Sequence, residues 1–379
     1  MSPTASAANA AVQSLLDDLV ASGEELGLRV AAYHQGRLVI DAWAGIADTR
    51  TGRKVDCDTL FTVFSTTKGI TYTAIHILAE RGLLDYDDPV ARYWPAFAAR
   101  GKSRVTIRQL LTHSAGVPQM PEGSTPEDIC DWDRICAAIA DLPLLWEPGT
   151  MTGYHGYTVG WILGEVLRRI DGRPIAQFVK DEICAPLGLR NLFFGIPDEV
   201  EDRVAFLEDG PIPENGPEPM LLLAKAIPEQ LPAAATLYNC PDIRRACIPA
   251  AGGIMNARDL ARHYACLATG VDGVRLLPPK RVALIAREQT RATDQVIGLN
   301  IRKGLGYFLH GENGESISDS PDSFGHPGAG GSVGYADPTQ DLAVGFTKTR
   351  LTAPLDRMTG SDVKVSAKIQ EVLSTSPAL

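Results

Sequence analysis

The sequence predicts an α/β fold of the α+β type: an antiparallel sheet flanked by N- and C-terminal helices, with a mostly helical domain inserted. Three observations carry this expectation. β-rich runs cluster near both chain ends, helical apolar spacing fills the middle, and tight turn signals join neighbouring strands.

Taken in order, Ala11, Val12, Leu15, Leu16 and Leu19 recur at three-and-four spacing and predict a helix over 8–22. The runs 28–34 and 37–45, rich in Val, Ile, Tyr and Trp, flank Gln35-Gly36 and read as a hairpin. Helical spacing then recurs over 65–81, 105–113, 133–141, 156–170, 175–185 and 257–269. Asn256, three residues before Asp259, gives the last of these its start signal. The proline-rich stretch 207–232 reads as a loop, yet 220–223 is apolar, so it is expected to fold over apolar surface such as a substrate cleft. Strands follow at 304–310, 324–335 and 342–349, the last two joined by Asp337-Pro338-Thr339-Gln340-Asp341. No internal repeat is visible.

Composition excludes several function classes. The 379 residues are 45% hydrophobic and 22% charged, which suits a folded protein with a sizeable core. Acidic residues number 46 against 36 basic ones, giving a net charge of −10 and no basic stretch to neutralise phosphates. Nucleic-acid binding is not expected. Apolar runs fall far short of the roughly 20 residues that cross a bilayer, so no membrane span is expected. The N-terminus lacks a basic n-region and carries Asp17 and Asp18 where a signal peptide would be apolar, so it reads as a helix of the mature protein. Seven cysteines, an odd set without Cys-x-x-Cys, argue against a disulfide framework and point to a cytoplasmic location. Neither H-E-x-x-H nor G-x-G-x-x-G occurs, so no metal or cofactor is expected.

Two serine motifs compete for the chemistry. Gly330-Gly331-Ser332-Val333-Gly334 matches the G-x-S-x-G nucleophile elbow, which needs a helix after the serine and a histidine later in the chain. Strand follows Ser332 instead, and all seven histidines precede it. A glycine-rich strand where backbones approach closely is the better account. The second motif is Ser65-Thr66-Thr67-Lys68. Residues three apart on a helix share a face, so the Lys68 amine can reach the Ser65 hydroxyl. The apolar helix that follows implies burial, and a desolvated lysine can stay neutral and accept the serine proton. A helix cap with a snorkelling lysine is the competing account. A second copy, Ser361-Asp362-Val363-Lys364, opens a helix with an exposed face and reads as a cap.

Further residues decide between these accounts. Phe64-Ser65-Thr66-Thr67-Lys68-Gly69, then 82–85 (Gly-Leu-Leu-Asp), 110–118 (Leu-Leu-Thr-His-Ser-Ala-Gly-Val-Pro), 147–150, Tyr154, 186–189, Gly252-Gly253, Asp259-Leu260 and 325–337 occur in that order. This series resembles the serine β-lactamase and penicillin-binding-protein superfamily over nearly the whole chain. It looks most like the class C β-lactamase-related family VIII carboxylesterases and related acyltransferases.

The resemblance implies a β-lactamase-like fold: a discontinuous α/β sheet domain (1–62 and 250–379), a mostly helical domain (63–249), and an active site in the cleft between them. Ser65 would be the acyl nucleophile and Lys68 its proton partner. Tyr154 would relay protons, with Tyr157 as its rival. The N–H groups of Ser65 and Ala329 would form the oxyanion hole. His326 and Gly328 would line the substrate site, and Pro327, without an N–H, would suit an edge strand there. Trp132 and Met220 are further candidates for a substrate pocket. The family's Tyr-x-Asn ends here in Gly156, and its Lys-Thr-Gly begins here with His326, mostly neutral at pH 7, so β-lactam anchoring should be weakened. The expected activity is a serine carboxylesterase on small or medium acyl esters or thioesters. The alternative is an acyltransferase to an alcohol or amine in secondary metabolism. A weak β-lactamase, a D-amino-acid peptidase and an inactive binding relative are the remaining readings.

Overall fold

The computed structural model describes residues 3–210, 221–227, 231–232, 234–309, 320, 322–352 and 360–375. The expected hairpin forms from Gly27–His34 and Arg37–Asp48, turning through Gln35 and Gly36, both at positive φ. That geometry matches the right-handed twist of paired strands. Gly27–His34 also pairs antiparallel with Leu342–Lys348, so segments from the two ends of the sequence meet in the middle of one sheet. Its order is Arg53–Lys54, Arg37–Asp48, Gly27–His34, Leu342–Lys348, Val333–Asp337, Phe324–Pro327, Phe308–Leu309, Asn300–Lys303 and Thr290–Thr293.

Strand alternation assigns the two faces. Leu28, Val30, Ala32, Ile40, Val344 and Phe346 share one core with Val12, Leu16, Val365 and Ile369 from the helices Pro3–Ala21 and Ser361–Ser374. Ala31, Tyr33 and Ala343 face the other way, into the larger core that contains the helical block. Helix Ala257–Ala268 lies directly on this second face. A Cβ at Gly345 would stand 2.4 Å from Ala257 O, so only glycine lets the helix approach that strand. Asn256 caps this helix as expected, accepting from the Asp259 N–H at 2.8 Å.

The middle of the chain is helical as expected, with Thr67–Glu80, Ile107–Leu111, Trp132–Ala140, Thr158–Asp171 and Ile175–Val179 among its elements. A three-stranded sheet of Phe61–Thr62, Gly253–Met255 and Leu192–Phe194 joins it to the rest. This small sheet sets the start of helix Thr67–Glu80 beside the loop 249–253, with Val63 N–H donating to Gly253 O at 3.0 Å. No described helix is long and apolar enough to cross a membrane.

Four sequence expectations are corrected. The single strand over 324–335 is two strands, broken where Gly330 and Gly331 adopt positive φ. The strand over 304–310 shrinks to Phe308–Leu309 because Gly304 and Gly306 make a turn; His310 lies outside the described residues. Thr290–Thr293 and Asn300–Lys303 are strands that the sequence reading did not find. Ser361 does not cap its helix. It is buried, its Oγ donates to Glu25 Oε1, and Lys348 pairs with the same carboxylate, while Lys364 sits outside on Glu24 at 2.7 Å. Desolvation raises the Glu25 pKa despite these partners.

Candidate active site

Ser65 sits in the 3₁₀ turn Phe64–Thr66 that runs straight into helix Thr67–Glu80. Phe64 has φ +47°, a left-handed conformation that a bulky residue adopts only when its surroundings impose it. Two contacts impose it. The Phe64 ring packs edge-on to Tyr238 at 4.9 Å, and Thr67 Oγ1 donates to Phe64 O at 2.5 Å while accepting from Gly253 N–H at 2.9 Å. The consequence is a half-buried serine at the head of a buried helix.

Lys68 is completely buried, one turn on. Its Nζ lies 3.0 Å from Ser65 Oγ, 2.7 Å from Gly156 O and 2.8 Å from Ala250 O. A neutral amine has two hydrogens and one lone pair, so two carbonyls take the hydrogens and the lone pair is left for the serine hydroxyl. Burial pushes the Lys68 pKa well below its ordinary value, because the charged form loses its hydration. The geometry and the electrostatics therefore describe the same proton acceptor.

Tyr154 lies over this pair, with Lys68 Nζ 4.8 Å from its ring centre. Its backbone N–H donates to Asp294 Oδ1 at 2.8 Å, and its ring packs 4.7 Å from His113 and 6.1 Å from His326. The rival Tyr157 faces inward instead, stacked on Trp161 and accepting from the Tyr238 hydroxyl at 3.3 Å. Two buried histidines brace the loop that carries Tyr154. His155 N–H donates to His113 Nδ1 at 3.1 Å, so the His113 proton sits on Nε2, 3.3 Å from Tyr72 Oη. Val117 N–H donates to His155 Nε2, and His155 Nδ1–H donates to Gly153 O at 2.7 Å. Burial lowers both pKa values, that of His155 to about 4, so both rings are neutral at pH 7.

The opposite wall is the turn 328–332. A Cβ at Gly328 would stand 2.3 Å from Val63 O and 2.2 Å from Ser332 Oγ, so this turn is pressed against the turn that carries Ser65. Ser332 fastens the contact, its Oγ donating to Val63 O at 2.8 Å and lying 3.2 Å from Thr66 Oγ1. Ser332 is thus a buried clamp. Ser332→Ala should cost about 1–2 kcal/mol in urea unfolding, since it strips partners from buried groups, and should leave fluorophosphonate labelling intact. Ala329, next to Gly328, is exposed, and among the described residues neither its N–H nor that of Ser65 has a hydrogen-bond acceptor.

The other sequence candidates fall as follows. His326 is buried, its Nδ1–H donating to Pro327 O at 2.7 Å and its ring 4.7 Å from Phe308. The expected edge strand at Pro327 is corrected, because Phe324–Pro327 lies inside the sheet. Its pairing with the two-residue strand Phe308–Leu309 stops at Gly325, so His326 and Pro327 run beyond that neighbour and no ladder bond is lost there. Trp132 is also corrected. Its ring would meet a Cβ on Gly164 at 2.6 Å and its Nε1–H donates to Glu165 at 3.0 Å, so it packs the helical block rather than the group around Ser65. Met220 lies outside the described residues. Among the described residues no cluster of His, Cys, Asp or Glu is placed to hold a metal ion.

Sequence reasoning missed the carbonyls of Gly156 and Ala250, and the buried pair Asp294 and Lys303 behind Tyr154. Backbone acceptors carry no residue-type signal. His113 stands inside a quoted motif and was within reach.

A serine and a buried lysine in hydrogen-bond contact beneath a tyrosine, on a fold that combines an antiparallel sheet with a helical block, point to the class of the serine β-lactamases and their relatives. The chain belongs to the beta-lactamase family, whose model matches residues 12–366. It is 34% identical over 351 residues to the esterase/beta-lactamase LipL of Mycobacterium tuberculosis, covering 87% of this chain and 78% of that protein. Among solved structures, a family VIII carboxylesterase is 33% identical with a TM-score of 0.86, covering 96% of this chain and 97% of the other. EstA from Arthrobacter nitroguajacolicus Rue61a is 29% identical with a TM-score of 0.87, covering 97% of both chains.

Proposed function

We propose that the protein is a serine carboxylesterase that hydrolyses small or medium acyl esters through an acyl-enzyme on Ser65, in the cleft between a sheet domain (1–62 and 250–379) and a helical domain (63–249). The observation that carries this reading is the Lys68 amine, wholly buried, held by two carbonyls and 3.0 Å from Ser65 Oγ. In acylation the Ser65 proton passes to the Lys68 lone pair as Oγ attacks the ester carbonyl. The developing oxyanion is received by the N–H groups of Ser65 and Ala329. The leaving alkoxide takes a proton through Lys68 and Tyr154, and the same groups accept one from the water that releases the acid. Esterases among the relatives support the substrate class.

His326 adds a discrimination. It stands where the family has a lysine, and an imidazole, unlike an ammonium, is no permanent cation for a β-lactam carboxylate. A p-nitrophenyl ester series run beside nitrocefin is expected to show ester kcat/KM at least about 100-fold higher. No turnover of any ester would sink the reading. Adding propanol or a primary amine to the same assay measures transfer against hydrolysis, and a propyl ester or amide product in excess of free acid would make the enzyme an acyltransferase. Tyr154→Phe should lower kcat by about 10²–10³-fold with little change in KM, the range for a lost proton relay.

A further inference from the structure

Tyr154 stands on the irregular segment 150–156, which has no secondary structure of its own to fix it. Behind it lies a dry ion pair. Asp294 and Lys303 are 0% and 1% exposed and 2.5 Å apart. Asp294 Oδ1 accepts from three N–H groups, those of Tyr154 (2.8 Å), Val296 (3.0 Å) and Ile297 (3.3 Å). Lys303 Nζ donates to Thr152 Oγ1 at 2.6 Å, and Gln295 N–H donates to Thr152 O at 2.9 Å. One buried pair on the sheet side thus holds both Thr152 and Tyr154.

Burying two charges is a poor route to stability, because apolar residues of similar volume usually serve as well or better. What apolar residues cannot supply is a directional acceptor. We infer that Asp294, held in place by Lys303, is a positioning residue that fixes the Tyr154 backbone so that its hydroxyl meets the Ser65–Lys68 pair. This rests on the proton-relay role proposed for Tyr154, and the experiment separates the two.

The test compares two double variants, with kcat expressed per serine titrated by fluorophosphonate so that unfolded molecules leave the count. Asp294→Leu with Lys303→Met removes the acceptor and both charges together. It is expected to lose about 100-fold in kcat, the scale for a misplaced catalytic group, with KM within about threefold. Asp294→Asn with Lys303→Met removes the charges but restores an oxygen acceptor, and is expected to recover at least about tenfold of that loss. Placed in a Tyr154→Phe background, the Leu/Met change should cost less than about threefold more, since both act through one side chain. Near-normal kcat per site in the Leu/Met variant overturns the inference, as does the full loss persisting in the Phe background or no recovery with asparagine. A silent Tyr154→Phe overturns the relay role itself and this inference with it, whereas a damaging Tyr154→Phe beside a silent Leu/Met variant overturns only the positioning.

Discussion

Ser65→Ala is expected to abolish fluorophosphonate labelling and to lower ester turnover by roughly 10⁴-fold or more, as for other enzymes stripped of a nucleophile. Folding should survive, because among the described residues the half-buried Ser65 side chain has a single hydrogen-bond contact, to Lys68. The contrast with Ser332 makes the experiment decisive. Ser332 is spent on Val63 O and Thr66, and among the described residues neither of these hydrogen-bond partners is an amine or imidazole that could serve it as a base. Labelling lost in Ser332→Ala and kept in Ser65→Ala would reverse the assignment.

Lys68→Met should be nearly as damaging, with acylation falling by about 10³-fold or more, because no other described group lies on the serine hydroxyl to take its proton. It also gives a stability signature with a definite sign. The folded pKa of Lys68 lies below its unfolded value of about 10.4, so between the two the unfolded chain holds a proton that the native protein lacks. Stability of the wild type relative to the variant therefore rises with pH through that window and levels off above it. For a lysine already neutral at pH 7, the rise is about 1.4 kcal/mol per pH unit between about pH 7 and 9, read from urea melts of both proteins. A flat difference would mean that Lys68 keeps its proton in the folded state, and the amine could not then act as the base in acylation.

The fold and the candidate site were legible where side-chain type carries the information. The hairpin at Gln35-Gly36, the cap at Asn256 and the helix after Ser65 all follow from local chemistry, and the order of motifs led from Ser65 to Tyr154. What stayed hidden has a common physical cause. Lys68 is held by Gly156 O and Ala250 O, and every residue owns a carbonyl, so nothing in the sequence marks those two. Asp294 and Lys303 look like surface charges in any composition count and are buried only through tertiary contact. Trp132 misled for the converse reason, since a tryptophan suits a pocket and a packed helix face equally.

The central pairing of Gly27–His34 with Leu342–Lys348 has a consequence for biosynthesis. On the ribosome, residues 27–34 emerge long before 342–348, the strand they pair with, and must wait for it. The turn 328–332, which clamps the turn carrying Ser65, is likewise made long after it. A nascent chain stopped before residue 328 would carry Ser65 and Lys68 without this opposite wall, so the group is completed by long-range contacts and as a whole.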